Sequence, residues 1–116
     1  MIRITIFERE KGVYTGFRME GHAGYAEYGN DIVCAAVSVL VINTINALER
    51  FTGDDFEHAI HQEEDVVSLE MTSVPVSSDA ELLLKTLVLG LQAIEEEYGK
   101  TYIRVKFKKA GGVREC

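Results

Sequence analysis

The stretch GHAGYAEYGNDIVCAAVS, Gly21 to Ser38, holds the two residue types that nucleophilic catalysis at neutral pH needs, a histidine at position 22 and a cysteine at position 34. A thiolate is the reactive form of cysteine. Its ordinary pKa of about 8.5 falls when an imidazolium or a helix N-terminus lies beside it. Asp31 has the residue type of an N-cap and stands directly before a long apolar run. A helix capped there places Cys34 in the first turn, where unpaired backbone N–H groups and the helix dipole carry partial positive charge. The same N–H groups have the chemistry of oxyanion donors. His22 lies twelve positions before Cys34, and Gly21, Gly24 and Gly29 allow tight backbone paths that fold it back over the helix start. The glycine spacing predicts a mobile flap over the thiol at residues 22–30. Spacing alone leaves a second reading open, in which Cys34 packs as a small hydrophobe and His22 is a solvated loop residue.

These residues must be carried by elements that the rest of the chain specifies. Ile2, Ile4 and Ile6 alternate with Arg3, Thr5 and Phe7, Lys11-Gly12 reads as a turn, and Val13 to Met19 continues in strand composition, so a hairpin is predicted. Asp31 to Phe51 is apolar on nearly every face, the pattern of a helix buried on most sides, with Gly53 as its stop. Phe56 to Gln62 and Val66 to Met71 flank the acidic turn Glu63-Glu64-Asp65 and form a second hairpin closed by Pro75. Ser78 and Glu81 have capping-box spacing ahead of a second helix that ends at Gly99. Ile103, Val105 and Phe107 then alternate with Arg104, Lys106 and Lys108 in a half-buried last strand. The order ββαββαβ implies an α+β fold, a mostly antiparallel sheet packed with two helices, spanning 1–116 as one domain.

Composition narrows the function classes. A chain of 116 residues buries roughly two thirds of its unfolded surface on folding, and 47% hydrophobic with 27% charged residues excludes a disordered chain. The alternating, charged N-terminal segment MIRITIFEREKG resembles neither a signal peptide nor a membrane span, and two cysteines make no disulfide framework, so a cytoplasmic location without membrane partners is expected. The net charge of −7 repels phosphate backbones and argues against nucleic acid as a direct partner. The basic cluster in KFKKAGGVREC (Lys106, Lys108, Lys109) reads as a solvated strand end and tail. His58 and His61 are an odd number of positions apart on a strand, so they point to opposite faces and no metal site is expected. Glu95 to Tyr98 reads as a solvated helix face, and the terminal Cys116 as inert.

The block Gly21-His22-Ala23, followed by Gly29-Asn30-Asp31-Ile32-Val33-Cys34-Ala35-Ala36-Val37-Ser38, resembles the signature of the ribosomal-processing cysteine protease family Prp, and the element order is compatible with that family along essentially the whole chain. The resemblance implies a cytoplasmic, often dimeric endopeptidase without cofactor. It implies removal of the N-terminal extension of a large-subunit ribosomal protein, the bacterial twenty-seventh, by cutting after an aromatic pair and before alanine. It makes Cys34 the nucleophile and His22 the general base. Asp31 also matches, as a helix cap first and an orienting or substrate-binding residue second. Ser38, one turn beyond Cys34 on the same face, matches as a supporting residue. A different class of function, a non-catalytic ribosome-associated binding or assembly factor with the same fold, stands as the alternative.

Overall fold

Alternating residues build the sheet and longer apolar stripes build the helices that cover it. The computed structural model describes residues 1–21, 28–61 and 65–110, with residues 28–31 described by their backbone. The elements run β1 (Ile2–Glu10), β2 (Val13–Glu20), α1 (Tyr28–Phe51), β3 (Phe56–His61), β4 (Val66–Met71), α2 (Ser78–Tyr98) and β5 (Ile103–Lys109). The five strands form one mixed sheet in the order β3-β4-β2-β1-β5. Every pairing is antiparallel except β1 with β5, so the mostly antiparallel α+β fold expected from the pattern is the fold observed.

Period-two alternation sorts the residues between the two faces. Ile2, Ile4 and Ile6 of β1, Phe17 of β2, Val67, Leu69 and Met71 of β4 and Ile103 of β5 are buried on one face. The helices cover that face. On α1 the residues Val33, Val37, Val41, Ile45 and Leu48 recur at helical spacing and are buried, and on α2 Ala80, Leu84, Leu87, Val88 and Leu91 do the same. Ile32–Phe51 is long and apolar enough to cross a membrane by length and composition, yet its buried stripe belongs to this core. Gly16 marks a close approach of β2 to β4, since a Cβ there would collide with the Leu69 carbonyl oxygen.

Several sequence expectations shift by a few residues. Helix α1 begins at Tyr28, so Asp31 is its fourth residue and not its cap, and Cys34 lies in the second turn. The reason is that a carboxylate is favoured throughout the first turn as well as at the N-cap, so residue type could not separate the two positions. Gly29, expected in a flap, is helical. The C-terminal end holds: α1 ends at Phe51, two residues before Gly53, and both the Thr52 N–H and its hydroxyl donate to the Leu48 carbonyl, at 3.3 and 2.7 Å.

Helix α2 is capped by Ser77, one residue before the expected Ser78, and the Ser77 hydroxyl accepts from the Ala80 N–H at 3.1 Å. That choice is made by Asp54, 23 positions away. Its carboxylate accepts from the Ser77 hydroxyl, from the Ser77 N–H at 2.8 Å and from the Ser73 hydroxyl at 2.9 Å, joining the α1–β3 loop to the start of α2. At the other end of α2, Gly99 donates its N–H to the Glu95 carbonyl at 2.8 Å, as expected of the stop. The Glu95 carboxylate accepts the Val105 N–H at 2.9 Å, occupying a donor on the open edge of β5.

The hydrogen bonds from Ser77, ahead of those from Ser73 and Thr52, hold the Asp54 carboxyl below its ordinary value of 3.8. A carboxyl with a lower pKa in the folded state contributes stability that is present above the unfolded value and lost as pH falls through the folded one. Stability should therefore decline from about pH 4 downward, and Asp54→Asn should flatten that decline. Ser77→Ala removes a cap of about 1 kcal/mol, equivalent to roughly 4 °C in Tm for a chain of this size. The double variant Asp54→Ala/Ser77→Ala should lose less than the sum of the single losses, because both changes break one network. Thermal unfolding followed by circular dichroism at graded pH checks each statement, and additive losses would separate the two residues.

Candidate active site

Cys34 sits at the border of the buried stripe of α1. Its neighbours Val33 and Val37 are fully buried, whereas the thiol is half-buried, free and packed against the rim of the core. Ser38 follows at i+4, on the same helix face. Together with Gly21 these residues line a groove of about 290 Å³. Met19 of β2, Val67 of β4 and Ile60 of β3 supply its apolar surface, and His61, Asp65 and Val66 at the end of the second hairpin complete it. The groove exists because β3 is the sheet edge beyond β4, where the inward-facing Ile60 is left half exposed at 49%.

The structure thus brings together three of the residues singled out from the sequence, Cys34, Ser38 and Gly21. Gly21 follows directly on β2 with φ +81, and a Cβ there would approach the Met1 carbonyl oxygen to 2.6 Å. Only glycine lets the chain leave the strand by this path. His22 and Gly24 lie outside the described residues, as does Cys116. Asp31 and Gly29 are placed in the first turn of α1 by their backbone. The helix N–H groups without an intrahelical partner therefore belong to the turn before Cys34, and the expected first-turn oxyanion donors do not include the Cys34 N–H.

In the sequence His61 stands out only as a metal ligand that its strand spacing from His58 disfavours. It shares the groove with Cys34, a juxtaposition made by the β3–β4 hairpin, which no local pattern in residues 56–71 signals. Ile60, Met19 and Val67 were likewise legible only as strand residues. Among the described residues no group of three His, Cys, Asp or Glu side chains could hold a metal ion.

A half-buried thiol on a helix, opening into a partly apolar groove between that helix and a sheet edge, is a geometry that a thiol enzyme can use. Comparison with known proteins makes this specific. The family described as cysteine protease Prp matches residues 1–104. The ribosomal processing cysteine protease Prp of Staphylococcus aureus is 36% identical over 109 residues, covering 93% of this chain and 100% of that one. Its namesake from Bacillus subtilis is 34% identical over 111 residues, covering 90% and 96%. A crystal structure of the S. aureus protease in complex with a covalently linked product peptide superposes with a TM-score of 0.82 at 32% identity, covering 93% of this chain and 100% of that one. The chain belongs to the Prp family and is a cysteine protease.

Proposed function

We propose that this protease removes the N-terminal extension of a large-subunit ribosomal protein, the bacterial twenty-seventh, cutting after aromatic residues. The observation that carries the reading is the opening of Cys34 into a groove with Met19, Ile60 and Val67 on its walls, which suits a bulky apolar side chain beside the scissile bond. The names of the relatives, which call them ribosomal processing proteases, and the covalently linked peptide of the S. aureus structure support it.

His22 takes the proton of the Cys34 thiol. The thiolate then attacks the peptide carbonyl, the C–N bond breaks, and the leaving amine takes the proton from the imidazolium. Water, deprotonated by the same histidine, hydrolyses the thioester and restores the thiol. Asp31, within the first turn of α1, orients His22 or contacts substrate. The enzyme works in the cytoplasm as a homodimer. Val39, Leu82 and Leu89, apolar helix residues left exposed, are the kind of surface a second copy would cover.

A peptide spanning the extended ribosomal N-terminus, incubated with the purified chain and followed by mass spectrometry, should be cut once, after the aromatic pair. Cleavage elsewhere, or none, would refute the substrate assignment. Asp31→Asn keeps the first-turn position but removes the charge. It should lower the cleavage rate at least tenfold with Tm unchanged, and an unchanged rate would return Asp31 to a purely structural part.

A further inference from the structure

The face of the sheet away from α1 and α2 is strongly polarised in charge. Register places the outward residues in three rows across the strands. Lys108 stands beside Phe7, Gly16, Glu70 and Glu57; Lys106 beside Thr5, Arg18, Ser68 and Ala59; Arg104 beside Arg3, Glu20 and Val66. On β5 three cations thus follow one another at every second residue, about 6.6 Å apart, and Arg3 continues the patch on β1. All four are exposed. Among the described residues none of the four has an ion-pair partner, and the carboxylate nearest Arg3 in register, Glu20, pairs with Arg18 at 3.6 Å. Glu95 reaches the β5 edge from the helix layer but is engaged by the Val105 N–H.

A second feature adjoins this row. The small outward residues Gly16, Ala59 and Ser68 leave a depression of about 380 Å³ in the same face, walled by Phe7 and Arg18 on one side and Glu57 and Glu70 on the other, with Ala110, just after β5, at its border. Phe7 stands between Lys108 and Gly16, hence between the cations and the depression. Phosphates on a cationic track with a base on an adjoining aromatic platform is how single-stranded nucleic acid is held on open sheets.

We propose that this face binds a single-stranded polynucleotide, with its phosphates along Arg104, Lys106, Lys108 and Arg3 and a base against Phe7 in the depression. Glu57 and Glu70 at the far end set the polarity by repelling phosphate. The chain's net charge of −7 does not oppose this at physiological salt, since screening over about 8 Å separates the row from the carboxylates of the helix layer. The thiol groove opens at the hairpin end of β3 and β4, whereas the cationic row runs along β5 at the opposite edge of the sheet. A bound strand therefore leaves the protease site open, and the enzyme can dock on an RNA-bearing particle while it processes a protein.

Fluorescence anisotropy of a labelled oligouridylate, and of an oligothymidylate of equal length, titrated with the full chain at several salt concentrations, tests the proposal. Four phosphate contacts give a slope of log K against log salt of roughly −3, and the ratio of the two affinities tells RNA from DNA. Arg104→Gln/Lys106→Gln/Lys108→Gln should lower affinity at least tenfold and reduce the slope by about two. Phe7→Leu, which keeps the apolar volume, should lower affinity about tenfold with the slope unchanged. Lys85→Gln/Lys100→Gln, away from the face, should change neither quantity, and peptide cleavage by all variants should equal that of the parent. Absence of binding at low salt, equal losses in the Lys85/Lys100 variant, or heparin binding as tight as that of the oligonucleotide with Phe7→Leu neutral for both would overturn it.

Discussion

Cys34→Ala is expected to abolish peptide cleavage while leaving the fold, and the Tm within a few degrees, unchanged. The thiol is half-buried at the rim of the core, so the substitution removes one sulfur atom and opens no large cavity, and alanine is the residue most favourable to helix. Chemistry, by contrast, loses the one side chain among the described residues of the groove that can form a thioester. Ser38 lies one turn away on the same wall but cannot replace it, because a hydroxyl has a far higher pKa than a thiol and no described base is dedicated to it. Cys34→Ser should be nearly as inactive for the same reason. The variants should still bind the peptide, since Met19, Ile60 and Val67 are untouched. Mass spectrometry of the cleavage mixture, with calorimetry of peptide binding, checks both halves. A Cys34→Ala chain that cleaves as fast as the parent would end the assignment of Cys34.

His22→Ala is expected to lower kcat by about two to four powers of ten with Tm intact, the usual share of general base catalysis. Two histidines compete for that part. His22 carries the motif, whereas His61 lies on the groove with Cys34. The variants separate them. His61→Ala should leave kcat within a few-fold and act mainly on KM, as expected of a residue that lines the substrate groove. The acidic limb of the pH profile of kcat/KM, which reports the base of the free enzyme, should disappear in His22→Ala and persist in His61→Ala. The reverse pattern would transfer the base to His61.

The elements of this protein were legible because each is specified locally. Ile2, Ile4 and Ile6 alternate, Val33, Val37 and Val41 recur at helical spacing, and both patterns report which side of an element faces the core whatever the partner is. The motif around Cys34 was legible for the same reason, as residue types at fixed separations along one segment. Local signals also explain the small errors. Asp31 is as favourable in a first turn as at a cap, and two adjacent serines look alike until Asp54, 23 residues distant, bonds to Ser77.

What the chain could not announce was everything that depends on neighbours far apart in sequence. The groove at Cys34 needs α1, β2 and the β3–β4 hairpin together, so His61 and Ile60 gained their meaning only when the sheet order put β3 at its edge. Charge shows this most plainly. Summed along the sequence it is −7 and suggests a surface that repels anions, but a sheet projects alternate residues to opposite sides and aligns strands by register. Arg3 and Arg104 are a hundred residues apart in the chain and paired in the sheet. A sum over sequence has no direction, whereas a folded surface does.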